Sequence, residues 1–134
     1  MTHLFDTSAL LAFYFDEAGA EDVSALLAAG REQNAVCCIT AIEFWSRLKH
    51  LGSADRYPQE WAEFDAILSP LPVDADVVNR AMDIRKACDQ RIPMVDLLIA
   101  ATAADADLTL VHRDPHFLVI PRECLRQRFL AELS

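Results

Sequence analysis

Residues 3–15 read HLFDTSALLAFYF. The apolar residues 3–5 predict a short buried strand, which ends at Asp6. The next stretch, residues 8–15, predicts a helix that is apolar nearly all round, with more apolar surface than one buried stripe needs. A strand, an acid and a helix in direct succession are typical of a strand–helix junction in an α/β protein.

Strand and helix patterns continue to alternate along the chain. Further strands are predicted at 35–39 and 108–111, with a short extended piece at 71–73. Helices are predicted at 18–29, 40–51, 58–68, 74–90 (capped by Asp74), 94–104 and 122–133. This order predicts one α/β domain over residues 1–134, with a mainly parallel sheet covered by helices on both faces.

The composition excludes several classes of protein. The chain has 134 residues, 53% of them hydrophobic, which is too apolar for a disordered chain. Its apolar runs are shorter than the roughly 18 residues of a membrane span. Lys+Arg number 12 and Asp+Glu 21, so the net charge is −9, which argues against passive electrostatic binding to nucleic acid.

The location of the protein is predicted from its N-terminus and its cysteines. The first residues show no basic segment followed by an apolar run, so we expect no signal peptide and a cytoplasmic protein without a membrane anchor. The cysteines lack metal-binding spacing, and we expect them to be small reduced core residues; they are Cys37, Cys38, Cys88 and Cys124.

Acidic side chains stand at four predicted junctions. Asp6 closes the first strand, Glu43 lies at the start of the helix from 40, Asp96 lies in the first turn of the helix from 94, and Asp114 follows the strand at 108–111. Because the carboxyl ends of parallel strands share one edge of a sheet, we expect these carboxylates to converge. Converging carboxylates repel one another, and a hard divalent cation such as Mg²⁺ or Mn²⁺ removes that cost.

Each acid also has a purely structural interpretation. Asp6 could cap a helix, and Thr40 with Glu43 has the spacing of a capping box. Asp96 would complement a helix dipole, and the Asp-Pro sequence at 114–115 is a turn signal. Two other carboxylate chemistries fit less well: a phosphoacceptor pocket needs a nearby Lys, and a haloacid-dehalogenase-type phosphatase needs Asp-x-Asp after the first strand.

Four segments resemble the motifs of PIN domains. They are FDTSALL at 5–11, TAIE at 40–43, DLLIAATA at 96–103 and LVHRDPHF at 110–117. Together they span nearly the whole chain, and its size is similar to that of VapC-type toxins of toxin–antitoxin pairs. One departure is His112, where the family often has Thr or Ser.

The resemblance implies a PIN-like three-layer α/β/α sandwich and a Mg²⁺- or Mn²⁺-dependent endoribonuclease. Asp6 and Asp96 would be direct metal ligands. Glu43 and Asp114 would complete the catalytic site, directly or through water. Thr7 or Ser8 would steady the Asp6 carboxylate or the scissile phosphate.

The chemistry expected of such a site is hydrolysis of an RNA phosphodiester by metal-activated water. Glu43 or Asp114 is a candidate general base, and one metal or two remain open. His112 and His116 either take part in this chemistry or line a loop. The nearby arginines either contact phosphate or form a solvated face; they are Arg113, Arg122, Arg126 and Arg128.

The VapC resemblance also implies two protein partners, a small antitoxin and a second copy of the chain. The apolar surplus of the 8–15 helix, with Phe44 and Trp45, is either core or a surface for such a partner. Two alternatives stay open: a PIN-type RNA-processing nuclease without an antitoxin, and a non-catalytic PIN-like binding module.

Overall fold

The computed structural model describes residues 1–130. Within them the strands form one parallel five-stranded sheet in the order β3-β2-β1-β4-β5. The strands are β1 (His3–Phe5), β2 (Asn34–Cys37), β3 (Ser69–Leu71), β4 (Thr109–His112) and β5 (Gln127–Phe129). The parallel sheet predicted from the alternating pattern is confirmed.

The helices connect these strands. They are α1 (Thr7–Tyr14), α2 (Ala20–Leu27), α3 (Thr40–His50), α4 (Tyr57–Ile67), α5 (Ala75–Ala87) and α6 (Met94–Asp105). Short 3₁₀ helices lie at Ala54–Arg56 and Pro115–Val119. Asp74 caps α5 by accepting a hydrogen bond from the backbone N–H of Val77 at 3.0 Å, as its position before the helix predicts.

The first strand lies at the centre of the sheet, and its side chains enter two different cores. Leu4 is paired with Ala35 on one side and Leu110 on the other. Leu4 belongs to the core under α5 and α6, whereas Phe5 belongs to the core under α1 to α4. Alternate side chains of a strand point to opposite faces, so this division produces the three-layer α/β/α sandwich.

The core under α1 to α4 is rich in aromatic side chains. Phe44 is fully buried and contacts Tyr14, Trp61 and Phe64 with ring centroids 5.3–5.6 Å apart. Most of the apolar surface of α1 is therefore core, which agrees with the first of the two interpretations of this helix. Trp45, the other aromatic residue of that pattern, is 39% exposed.

The helix predicted at 122–133 is wrong in the described part of that range. Residues 122–124 form a turn and β5 follows, while 131–133 lie outside the described residues. The backbone N–H of Leu110 donates to the carbonyl of Arg126 at 2.9 Å. Strand β5 provides hydrogen-bond partners for the edge of β4, which would otherwise be unpaired. This pairing stabilises the strand more than the local helix propensity stabilises a helix.

The cysteine prediction is confirmed only in part. Cys37 is buried, Cys88 and Cys124 are half-buried, and Cys38 is exposed, because β2 ends at Cys37. All four are free thiols. No helix within residues 1–130 has the length and apolar character that crossing a bilayer requires.

Candidate active site

The four acids predicted at strand–helix junctions lie just after a strand or in the first turn of a helix. Asp6 directly follows β1 and Asp114 follows β4, and these two strands are parallel neighbours. Glu43 lies in the first turn of α3 and Asp96 in the first turn of α6. Burial is the main cause of the raised pKa values of Asp6 and Asp96, and nearby charges add to it: Asp114 at Asp6, and Asp114 and Glu43 at Asp96. The expected convergence is therefore present in the structure.

Asp6 is the most deeply buried of these acids, with 3% of its surface exposed. Its Oδ1 accepts a hydrogen bond from the backbone N–H of Ala9 at 2.9 Å, so it caps α1. Burial raises the pKa of Asp6 from 3.8 to about 7, against the lowering effect of its hydrogen bonds, and the Asp114 charge adds to the rise. The capping interpretation of Asp6 is therefore confirmed, and its role as a metal ligand stays a prediction.

Two neighbouring hydroxyls hold two of the acids. Ser8 Oγ donates to Oδ1 and Oδ2 of Asp6 at 2.7 and 2.8 Å. Thr7 Oγ1 donates to Oε1 of Glu43 through a short hydrogen bond. The resemblance implies that Thr7 or Ser8 steadies the Asp6 carboxylate or the scissile phosphate; in the structure Ser8 contacts Asp6 and Thr7 contacts Glu43.

The capping-box interpretation of Thr40 and Glu43 is wrong. Helix α3 has no side-chain cap among the described residues, and its N-cap position is Ile39. Thr40 Oγ1 is buried without a hydrogen-bond partner in residues 1–130. Glu43 reaches across to Thr7 on α1 instead, so its orientation serves the acidic cluster rather than its own helix.

Asp96 and Asp114 face each other across a shared histidine. His116 Nδ1 lies 3.4 Å from Asp96 Oδ2 and 3.3 Å from Asp114 Oδ1. Burial is the main cause of the raised pKa of Asp96, and His116 acts in the opposite direction. Asp114 also accepts a hydrogen bond from the backbone N–H of His116 at 3.0 Å, so the turn predicted at 114–115 is present as well.

The chemistry of this donor set fits a divalent cation. One atom each from Asp96, Asp114 and His116 lies within 4.8 Å of the others, and Asp6 and Glu43 add carboxylate charge beside them. Mg²⁺ and Mn²⁺ take carboxylate oxygens, and a bound cation would offset both the burial and the repulsion that raise these pKa values. Asp96, Asp114 and His116 are thus residues that could hold a metal.

Comparison with known proteins identifies the family. A family model described as PIN domain matches residues 4–123. The chain belongs to the PIN domain family. No curated protein matches the sequence.

Solved structures share the fold of this PIN domain. VapBC2 from Rickettsia felis, bound to a DNA fragment from its promoter, is 19% identical with a TM-score of 0.77, covering 96% of this chain and 98% of that chain. DNA-bound VapBC from Salmonella typhimurium is 18% identical with a TM-score of 0.78, covering 97% and 98%. A toxin–antitoxin complex from Klebsiella pneumoniae is 23% identical with a TM-score of 0.70, covering 98% and 100%. At these identities the likeness is one of fold.

His112 occupies an unexpected place in this PIN domain. Its ring is fully buried between Phe117 and Phe129, at centroid distances of 4.7 and 5.4 Å. Nδ1 accepts the backbone N–H of Asp114 at 3.2 Å, and Nε2 lies 2.8 Å from Oε1 of Gln127. Because Nδ1 is an acceptor, the ring is neutral and Nε2 donates to Gln127.

Gln127 is a residue that sequence reasoning missed. Its amide group donates to the carbonyl of Phe117 at 2.9 Å and accepts from His112. Gln127 lies on β5, in a segment for which the sequence predicts a helix. The sequence pattern therefore does not predict its contact with the loop that contains Asp114. Only the pairing of β5 with β4 brings it there.

The arginines near the fourth motif divide between two places. Arg113 donates to the carbonyl of Ala18 at 3.0 Å and pairs with Glu17 at 2.9 Å, beside the acids. Arg126 instead binds Asp107, which precedes β4, and Arg128 lies 3.9 Å from Asp22 on α2. Of Arg113, Arg126 and Arg128, Arg113 lies beside the acids, and its charge is paired with that of Glu17.

A shallow depression adjoins the acidic cluster. It has a volume of about 260 Å³, and Ser8, Arg47, Arg113 and Asp114 are among the residues that line it. Arg47 on α3 is exposed and was not singled out from the sequence. The guanidinium group of Arg47 is suited to a phosphate of a nucleic acid strand, whereas that of Arg113 is paired with Glu17, which also lines the depression.

Proposed function

We propose that this PIN domain is a divalent-metal-dependent endoribonuclease and the toxin of a toxin–antitoxin pair. The observation that carries the proposal is the convergence of four carboxylates, one from each of four junctions, with raised pKa values at Asp6 and Asp96. Perturbed carboxylates gathered in one place are typical of catalytic sites. Family membership and the shared fold of VapBC structures support the nuclease class.

In this proposal Asp96 and Asp114 hold Mg²⁺ or Mn²⁺, with Asp6 a further direct ligand and Glu43 acting directly or through water. A bound ion would supply positive charge for the phosphodiester transition state and would make a nearby water more acidic. Ser8 keeps the Asp6 carboxylate in one orientation. Thr7 occupies Oε1 of Glu43, which leaves Oε2 to accept a proton as general base.

The RNA strand would approach through the depression beside the acids. Arg47 lines it and provides positive charge in a chain whose net charge is −9, while Arg113, which also lines it, is paired with Glu17. Binding of RNA by this chain therefore depends on a local site rather than on a broad basic surface, and we expect it to be weak without a divalent ion.

An antitoxin partner is supported by an apolar surface on α3. Ile42 is 66% exposed and Trp45 39% exposed, and both line a depression of about 210 Å³ together with Ala41 and Tyr57. Exposed apolar side chains of this size fit the apolar face of a partner helix. One structural neighbour is described as a toxin–antitoxin complex and another as a member of the VapBC family of toxin–antitoxin systems.

A homodimer and a cytoplasmic location complete the proposal. On α5, Val78 and Met82 are 50% and 54% exposed and lie one helical turn apart, a surface suited to a second copy of the chain. The four free thiols agree with a reducing compartment. Light scattering after gel filtration measures the oligomeric state directly.

The test of catalysis compares RNA cleavage by the wild type, Asp96→Asn and Asp83→Asn in Mg²⁺ or Mn²⁺. Asp83 is an exposed acid on α5 and serves as a charge-matched control. We expect Asp96→Asn to lose about 100-fold or more in rate and the control to retain activity. Equal cleavage by all three proteins would defeat the proposal.

The toxin assignment has its own test. Expression of the active chain alone should arrest growth, whereas the Asp96→Asn variant should be tolerated. Growth without arrest by an active enzyme would favour an RNA-processing nuclease without an antitoxin. Absence of both cleavage and metal binding would favour a non-catalytic PIN-like module.

A further inference from the structure

His116 is placed to act as a ligand rather than as a loop residue. Its Nδ1 lies 3.4 Å from Asp96 Oδ2 and 3.3 Å from Asp114 Oδ1, so one nitrogen touches both carboxylates. The three atoms lie within 4.8 Å of one another. The inference developed from this rests on the metal-dependent function proposed above.

The spacing agrees with adjacent positions around one small cation. Ligands at about 2.1 Å from an octahedral ion lie about 3.0 Å apart when adjacent and about 4.2 Å apart when opposite. The separations of 3.3 and 3.4 Å require only small side-chain movements to reach the adjacent spacing. The side chain of His116 is 62% exposed, so it has room to make them.

The backbone holds His116 close to these acids. It lies in the 3₁₀ helix Pro115–Val119, and its N–H donates to Asp114 Oδ1 at 3.0 Å. The next residue, Phe117, is fully buried and anchors this turn in the core. The imidazole therefore lies next to the carboxylates that it would join in holding a cation.

His112, the other histidine of this segment, is not a candidate for the same role. Both of its ring nitrogens take part in hydrogen bonds, with Asp114 and with Gln127, and its ring is fully buried. Of these two histidines, His116 is therefore the one whose ring nitrogen can serve as a metal ligand beside the acidic cluster.

We propose that His116 supplies a nitrogen ligand, through Nδ1, to the cation held by Asp96 and Asp114. An imidazole nitrogen is a ligand for first-row transition metals, whereas Mg²⁺ strongly prefers oxygen. A site of carboxylates alone would discriminate little between Mg²⁺ and Mn²⁺. The nitrogen makes this centre selective for Mn²⁺ over Mg²⁺.

The experiment measures binding of Mn²⁺ and of Mg²⁺ separately by calorimetry, without RNA. The proteins are the wild type, His116→Ala, His116→Gln and the control His50→Ala, which removes an exposed histidine at the end of α3. We expect both His116 variants to bind Mn²⁺ about tenfold more weakly, with Mg²⁺ affinity changed less than about twofold. The control should bind both ions as the wild type does.

Pulsed EPR of the Mn²⁺-loaded proteins gives a readout independent of affinity. A ¹⁴N coupling from imidazole should be present in the wild type and His50→Ala, and absent in both His116 variants. Thermal melts of the metal-free proteins check that the variants are folded.

The outcomes separate this inference from the proposed function. The role of His116 would be overturned if its variants bound Mn²⁺ and Mg²⁺ equally more weakly, or bound both ions more tightly. It would also be overturned if the ¹⁴N coupling survived in His116→Ala. In each case metal binding itself would remain in place. Failure of the folded wild type to bind either ion would overturn the metal-dependent function itself.

Discussion

Ser8 donates its hydroxyl hydrogen to the carboxylate of Asp6, with its oxygen 2.7 Å from Oδ1 and 2.8 Å from Oδ2. The same oxygen accepts the backbone N–H of Arg113 at 2.8 Å. One hydroxyl therefore ties the acid after β1 to the segment after β4. Removing it frees the Asp6 carboxylate and leaves the N–H of Arg113 without its partner.

We expect Ser8→Ala to lower the rate of RNA cleavage about tenfold or more, because partners that orient a metal-site carboxylate contribute on this scale. Loss of the hydrogen bond from Arg113 should also cost about 1 kcal/mol in the free energy of unfolding. Cleavage kinetics and urea denaturation measure the two effects. Ser24→Ala, on the exposed side of α2, is the matched control; a Ser8 variant as active as this control would contradict the prediction.

Thr7 and Glu43 provide a second test of orientation. Thr7→Val keeps the shape of the side chain but removes the donor to Oε1 of Glu43, so kcat should fall about tenfold. Thr7→Ser restores a hydroxyl and should recover most of the rate. If the Ser and Val variants have the same kcat, the hydroxyl does not position Glu43.

Asp6 makes the stability of the metal-free protein depend on pH. Its pKa is about 7 in the folded chain against 3.8 for an ordinary Asp, so the folded state retains a proton that the unfolded state has lost between these values. The free energy of unfolding should therefore fall as pH rises from 4 to 7, by at most about 4 kcal/mol from this residue.

Asp6→Asn should remove most of that dependence, because Asn still caps a helix but does not ionise. Melting temperatures at pH 5 and pH 8, measured with a chelator, should show the variant gaining on the wild type at the higher pH. A constant difference between the two proteins would show that folded Asp6 is already ionised at pH 5, contrary to the raised pKa.

His112 should respond to acid in the opposite sense. Burial lowers its pKa below 6.5, so the unfolded chain takes up a proton there before the folded chain does. Stability contributed by this residue is present above pH 6.5 and falls as the pH decreases through that value. The ¹⁵N spectrum of the ring should show a protonated Nε2 and an unprotonated Nδ1.

Asparagine is the informative substitution at this position. His112→Asn keeps an acceptor near the place of Nδ1, whereas His112→Gln keeps a polar group near that of Nε2. We expect the Asn variant to retain more cleavage activity, since the acceptor for the N–H of Asp114 is what shapes the acidic loop. A more active Gln variant would assign the main effect to the bond with Gln127.

Arg47 tests where the RNA lies. Arg47→Ala should raise KM about fivefold with little change in kcat, which corresponds to about 1 kcal/mol for a phosphate contact. Arg80→Ala removes an exposed arginine on α5 and should leave KM unchanged. Equal KM values for the two variants would place the RNA elsewhere.

Local pattern predicted most of this fold. The segment from β1 to α1 was predicted within one residue, and so was the start of α6, because apolar runs and helix-start signals lie within the segments themselves. The cap formed by Asp6 belongs to the same class of local feature. For the same reason the sequence located all four acids at junctions.

The errors have a common physical cause. Helix propensity favoured a helix over 122–133, but the edge of β4 needed hydrogen-bond partners from a segment remote in sequence. The capping-box spacing of Thr40 and Glu43 is also a local signal. Glu43 instead accepts a hydrogen bond from Thr7, which lies 36 residues away in the sequence.

The sequence by itself determined the family, the alternation of strands and helices, and the four carboxylates at their junctions, since each is written in a short continuous segment. Only the tertiary structure decided which remote groups meet: Thr7 with Glu43, His116 with Asp96 and His112 with Gln127. Each of these pairs joins different elements of the fold. Their distances depend on how the strands pair and how the helices pack on both faces of the sheet, which no local pattern specifies.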